Sequence, residues 1–381
     1  MELYRVTRDD ILSKLNVKRK KHIKEEDIFN NKIQLSFLKK IDEFFHKGLA
    51  YYLDPKDPIK SEEESIFFRK DNFNAVLSLG AKQIVNKFEE DKISFTALAK
   101  LTDLKIRRMI PVFNISNKPE AIAQEVRQYL YPEFSPDKRT FLSNFISTLA
   151  KFNILVFEFV EAHNKKEKAN INGFFLAPNV IVLKRNQKSL RREIFTLAHE
   201  LGHYLLNKEE IDGNVGIETP HSNKYNNSEN DIEKWCNEFA YSFLAGHYNN
   251  DIDGLAQANA SNDYHHDIID KICERTHLST LALHTKLLLY NKISPIDYSR
   301  VVSAIQDQIK AAEAAQKAEI EREKLKAIAE GRKLMMQAPK PIISPLYLST
   351  LQGALYSGLI NERDFCKKLS INPDKLEKFL A

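Results

Sequence analysis

Phe195-Thr196-Leu197-Ala198-His199-Glu200-Leu201-Gly202-His203-Tyr204-Leu205-Leu206 decides how the rest of the chain is read. Wound as a helix, this run sets His199 and His203 four residues apart on one face, one imidazole above the other. Two imidazoles so placed take two corners of a tetrahedral zinc site, and Glu200 reaches a water on the open corner as general base. Ile194, Leu197, Ala198, Leu201 and Leu205 give an apolar surface at helical spacing, so the predicted helix is a buried one. Gly202 costs about 1 kcal/mol of helix propensity relative to Ala, which predicts a packing reason such as close approach of a neighbouring element. The competing reading is a pair of hydrogen-bonded core histidines without metal. That reading leaves Glu200 as a buried carboxylate with nothing to offset its desolvation.

The third ligand sets the class. One large group of zinc peptidases places a His six residues after the second His, beyond a Gly; here Leu206 and Glu209 stand at those positions, which excludes that group. Asp231-Ile232-Glu233-Lys234-Trp235-Cys236-Asn237-Glu238-Phe239-Ala240-Tyr241-Ser242-Phe243-Leu244 is the better source. Trp235, Phe239, Ser242 and Phe243 share one helical stripe, while Glu233 and Asn237 share another. Glu233 completes a two-His, one-Glu site with water at the fourth corner. Asn237 then holds a ligand imidazole through its other ring nitrogen. A solvated carboxylate at a helix start is the plainer reading of Glu233. Glu209, Glu218, His221 and Glu238 are competing ligands, and His221 and Tyr225 are candidates to polarise a scissile carbonyl from a rim loop.

The run from Ile194 to His203, followed by Glu233, Cys236, Asn237, Phe239 and Ala240, resembles the ImmA/IrrE family of zinc metallopeptidases, which shows FTLAHELGH and then ExxANxFAxxLL. Ile171-Asn172-Gly173-Phe174 and Val180-Ile181-Val182-Leu183 resemble its lead-in. Matched position by position, the resemblance implies His199, His203 and Glu233 as ligands of a Zn2+ ion and Glu200 as the catalytic base. Cys236 stands where the family has Ala, and Ala245-Gly246 replaces a Met-Pro helix ending. Neither departure removes a reactive group. The resemblance implies a regulator that cleaves a repressor or antitoxin, acting on a mobile element, a stress response, a toxin–antitoxin pair or a defence system.

Composition agrees with a globular chain. Its 381 residues are 43% hydrophobic and 29% charged, enough for two or more domains, and only 11 are Gly. The expected fold class is α+β, mostly α, with a zincin-like core of a small β-sheet plus the HExxH helix, flanked by helical domains. Three cysteines, Cys236, Cys273 and Cys366, form no close pair, as expected in a reducing cytoplasm. The first residues lack the apolar run of a signal peptide, and no stretch approaches the ~18 apolar residues of a membrane helix. A net charge of +5 permits a nucleic-acid partner without requiring one.

In chain order, residues 1–54 read as an N-terminal helical unit; the resemblance implies a helix-turn-helix here, but its Gly-centred turn and glutamine are missing, so the basic run Lys18 to Lys24 reads first as a solvated face of a structural domain and second as a contact to DNA. Residues 65–136 read as a helical domain, with helices over 73–88, 94–101 and 121–130. The peptidase core spans 137–248, with strands near 154–160, 173–176 and 180–183. Residues 249–306 complete it as a helical bundle, 307–338 form an Ala/Glu/Lys-rich spacer helix, and 339–381 a terminal helical module. The favoured function is a zinc endopeptidase acting on one protein partner. Its rivals are a DNA-binding or toxin-neutralising module that keeps the peptidase fold without proteolysis, and a zinc-stabilised scaffold, which would be closed by four protein ligands.

Overall fold

The computed structural model describes residues 6–16, 22–29, 33–45, 48–53, 77–161, 168–185, 187, 189–211, 229–330 and 340–380. Most of the basic run at 18–24, the linker at 55–64 and most of the rim loop at 208–228 lie outside these residues. The first unit contains α1 (Arg8–Asn16), α2 (Leu35–Phe45) and α3 (Leu49–Leu53). Helices α4 (Leu79–Leu101), α5 (Pro119–Leu130) and α6 (Lys138–Lys151) lead into the strands β1 (Leu155–Val160), β2 (Gly173–Leu176) and β3 (Val180–Arg185). There follow α7 (Leu190–Leu206), α8 (Glu229–Ala245), α9 (Tyr248–Asp253), α10 (His266–Thr276), α11 (Thr280–Leu289), α12 (Pro295–Ala329), α13 (Pro345–Tyr356) and α14 (Glu362–Leu369). The fold is α+β and mostly α. No described helix is long and apolar enough to cross a membrane.

The sheet runs β1-β3-β2, with β1 parallel and β2 antiparallel to the central β3. Its strands are apolar on both faces because both faces are covered. Leu155, Phe157, Phe159, Phe174, Leu176, Val180 and Val182 pack with Ala81, Val85, Phe88 and Phe95 of α4. The alternate residues Val156, Phe175, Ile181 and Leu183 enter the main core with α5, α6, α7 and α8. Period-two alternation thus sends each strand into two different cores.

Several elements expected to be separate are continuous or shared. The helices expected at 73–88 and 94–101 are one helix from Leu79 to Leu101, since Glu89-Glu90-Asp91-Lys92-Ile93 contains no breaker. A domain boundary at 306/307 falls inside α12, a single helix of 35 residues that has no Gly or Pro after its first turn. Beyond Gln306 its described side chains are exposed apart from Ile320, as a solvated spacer requires. Helices α4 and α5, expected within a unit of their own, instead pack on the sheet and on the main core. The N-terminal unit keeps a cluster of its own around Ile11, Leu15, Phe37 and Ile41, joined to α4 through Leu79 and a Lys82–Asp10 ion pair.

A buried charge network ties the sheet to α7. Arg185, 1% exposed at the end of β3, donates Nη1 to both Glu158 oxygens of β1 at 3.1 and 3.0 Å, and Nε to Glu193 Oε2 of α7 at 2.6 Å. Glu158 also accepts the backbone N–H of Ile342. From there the chain passes round the β1 edge, because Ile342 packs with the main core while Tyr347 stacks its ring edge on Phe157 of the opposite face. Burial pushes the Glu158 carboxyl up to about 7 despite the neighbouring Arg185. Its folded pKa lies above the ordinary 4.5, so stability present below that pH is lost as pH rises through about 7. Arg185→Leu leaves both carboxylates buried without their cation and is expected to cost about 3–5 kcal/mol near neutral pH. Part of that loss should return on acidification, as protonation removes the stranded charges. Urea unfolding as a function of pH measures both effects, and a deficit independent of pH would contradict this account.

Candidate metal centre

The HExxH helix is capped at both ends. Ser189 accepts from the Arg192 N–H at its start, and Asn207 takes the left-handed conformation, φ 51°, after its end. Arg108, from the loop after α4, donates to the Tyr204 carbonyl, with its guanidinium 3.9 Å from the Tyr204 ring centroid. Helix α8 ends in the same way: Arg127 of α5 donates to the Phe243 carbonyl and lies 3.4 Å from the Tyr131 ring centroid. Gly246, the first residue after α8, has φ +58°, and a Cβ there would meet the Arg127 guanidinium at 2.6 Å. Two arginines therefore fix the C-termini of the two helices that carry the candidate ligands.

These helices cross closely at Gly202. A Cβ on Gly202 would lie 3.2 Å from the Cα, Cβ and Sγ of Cys236, which is the close approach that a glycine inside a buried helix suggests. At this spacing α8 brings Glu233 onto both histidines. His203 Nε2 and His199 Nε2 are 3.0 Å apart, Glu233 Oε2 is 3.3 Å from His199 Nε2, and Glu233 Oε1 is 3.2 Å from His203 Nε2. Among the described residues this is the group whose atoms could together hold a metal ion.

The donor set fits a small divalent cation. Tetrahedral ligands at about 2.0–2.1 Å from an ion stand about 3.3 Å from one another, close to the three separations here. Nδ1 of His199 donates to Asn237 Oδ1 at 3.0 Å, which leaves a lone pair on Nε2 of the neutral ring. Burial holds the His199 pKa below its ordinary range and so favours that neutral form. Something positive must sit where two imidazole nitrogens and a carboxylate converge, either a metal ion or a proton on His203, whose pKa is held well above its ordinary range against the effect of burial.

Glu200 is 2% exposed, and its Oε2 has no hydrogen-bond partner among the described residues. Burial pushes its carboxyl up to about 8 against the pull of His203, with Glu233 and Glu210 adding to the push. Gly173, the first residue of β2, makes room for it: a Cβ there would meet Glu200 Oε1 and Thr196 Cγ2 at 2.9 Å. The role of Gly173 did not emerge from the sequence reading, although a glycine opening an apolar strand is a known sign of close approach. Glu210, buried beside this group, was also missed, as were the two capping arginines, which carry no local motif.

Two of the competing ligands have other partners. Glu209 accepts the Ala177 N–H at 2.7 Å, and Glu238 pairs with the buried Lys286. Glu218, His221 and Tyr225 lie outside the described residues.

Residues 149–288 match the model of peptidase family M78, the IrrE N-terminal-like domain. That stretch contains all three strands, α7 and α8, and supports a metallopeptidase domain of the ImmA/IrrE type. No curated protein and no solved structure matches the chain.

Asn237→Leu removes the acceptor at His199 Nδ1 with little change of volume. Affinity for a divalent metal should fall about 10- to 100-fold, measured by competition with a chromophoric chelator. An unchanged affinity would show that the imidazole is oriented by something else.

Proposed function

We propose that the chain is a zinc-dependent endopeptidase acting on a peptide segment of one protein partner in the cytoplasm. His199, His203 and Glu233 would hold the ion, and Glu200 would serve as catalytic base. The observation that carries this reading is the convergence of three lone-pair donors within 3.3 Å of one another, with the buried Glu200 carboxyl next in sequence. Zinc is favoured over other divalent ions by the mixed nitrogen and oxygen ligands. When bound, such an ion polarises a scissile carbonyl and lowers the pKa of a water to about 7.

The protein residues supply the rest. Glu200 takes a proton from the attacking water as the new C–O bond forms, then delivers it to the amide nitrogen as the C–N bond breaks. Its burial raises the carboxyl and so opposes the lowering that a bound cation would bring, which suits a group that must both accept and return a proton. Asn237 keeps the His199 ring in the tautomer that presents Nε2. The open edge of the sheet supports an extended peptide substrate. Among the described residues no strand pairs with the outer side of β2, whose first residue, Gly173, abuts Glu200, whereas residues 342–347 wrap the β1 side. The family likeness favours a repressor or antitoxin as the substrate.

Purified protein should carry one zinc per chain by elemental analysis. Glu233→Ala should lose it, and full occupancy in that variant would reject Glu233 as a ligand. Glu200→Gln should keep the metal while peptide hydrolysis falls by about 10²- to 10⁴-fold, the usual contribution of a positioned base. Cleavage of a partner mixed with wild type and with Glu200→Gln, followed by mass spectrometry, tests the step. Equal cleavage by the two proteins would remove Glu200 from the mechanism.

A further inference from the structure

Glu233 stands in the second turn of α8, close to the helix start at Glu229. Helix ends fray, and their first N–H groups have no partner within the helix, so the backbone alone does not hold a ligand there in a fixed direction. A restraint from outside the helix has to do so. Two residues on, Trp235 projects to the side away from Glu233, since two positions turn about 200° around a helix. Trp235 is the one tryptophan of the chain and is 5% exposed. Its Nε1–H donates to the Asn117 carbonyl at 2.8 Å. A tight turn before α5 aims that carbonyl: the Asn114 N–H donates to Asn117 Oδ1 at 2.8 Å, the Asn117 N–H to the Asn114 carbonyl at 2.9 Å, and the Ser116 N–H to Asn114 Oδ1 at 3.0 Å. The indole also stacks on Phe239 one turn later, with ring centroids 5.5 Å apart and planes 3° apart. Phe239 stacks in turn on Phe243, and Phe243 on Phe145 of α6.

We infer that Trp235 is a positioning residue for the carboxylate ligand: its indole, bonded to the 114–117 turn, sets the rotation of α8 at which Glu233 meets both imidazoles. The inference rests on the metal-binding reading given above. Asn237 orients one imidazole by direct contact, whereas Trp235 acts from the opposite side of the helix through the backbone. A turn of about 20° around the axis carries a side-chain tip, about 5–6 Å out, about 2 Å sideways, enough to part Glu233 from one of its nitrogens. The stack on Phe239 ties the indole to the core, and the single N–H bond gives it a direction.

Zinc affinities of wild type, Trp235→Phe and Asn117→Ala, measured by competition with a chromophoric chelator, test this beside melts of the metal-free proteins and visible spectra of their cobalt(II) forms. Phe keeps a ring on Phe239 and loses only the N–H. Asn117→Ala leaves α8 untouched and loosens the turn that aims the carbonyl; its exposed position lets it carry the test if the Trp235 variant does not fold. Each variant should bind zinc about three- to tenfold more weakly, the weight of one net hydrogen bond. Each should also change the cobalt spectrum, which reports the arrangement of ligands directly. Wild-type affinity and a wild-type cobalt spectrum in Trp235→Phe overturn the inference and leave the metal centre standing. A lower melting temperature with affinity and spectrum unchanged overturns it too, because Trp235 then only packs the helix. Absence of zinc and cobalt binding in the wild type overturns both this inference and the reading on which it rests.

Discussion

Everything at the candidate centre depends on how closely two helices can approach. Glu233 reaches both imidazoles only because α7 and α8 touch at backbone distance, with Gly202 on one side and the body of Cys236 on the other. A methyl group at position 202 would need Cys236 to give way by a few tenths of an ångström, and a larger side chain would push the helices apart and draw the carboxylate from the imidazoles. The helix propensity given up at Gly202, about 1 kcal/mol, is small beside the several contacts it permits. The same contact makes the site stiff, since in a packed core neither helix can rotate without displacing the other.

The remainder of the fold holds that crossing in place. Arg108 and Arg127 come from residues before the sheet, outside the matched stretch at 149–288, yet each binds the last turn of a ligand-bearing helix. Arg185 joins β1, β3 and the first turn of α7 in one buried network. The helix is therefore fixed at both ends by charge and along its length by apolar packing. The part of the chain that carries the motif is thus held partly by residues outside it, at the C-termini of both helices, and partly by its own buried network at the start of α7.

Much of this was legible in the sequence because it depends on local periodicity. The HExxH spacing, the four-residue step from Glu233 to Asn237 and the three short apolar strands each follow from residues a few positions apart. The strands are found within a residue or two of their expected ends. Helix boundaries fared less well where no Gly or Pro marks a break, as across residues 89–93 and at Gln306, since charged helix formers continue a helix as readily as they border one. Long-range partners were not legible at all. Nothing near Arg127 in sequence points to the carbonyl of Phe243, and nothing near Glu158 points to the backbone of Ile342. Such contacts exist only once the chain has folded back on itself.

The strap at residues 342–347 has a consequence for how the chain is made. It is synthesised some 184 residues after the Glu158 carboxylate that it binds. Throughout that interval a ribosome-bound chain presents the β1 edge uncovered, an edge of apolar, β-prone residues of the kind that pairs with other chains. The long hydrophilic helix α12 occupies most of the delay. Its charged surface adds solubility to the nascent chain at the stage when the sheet is least protected.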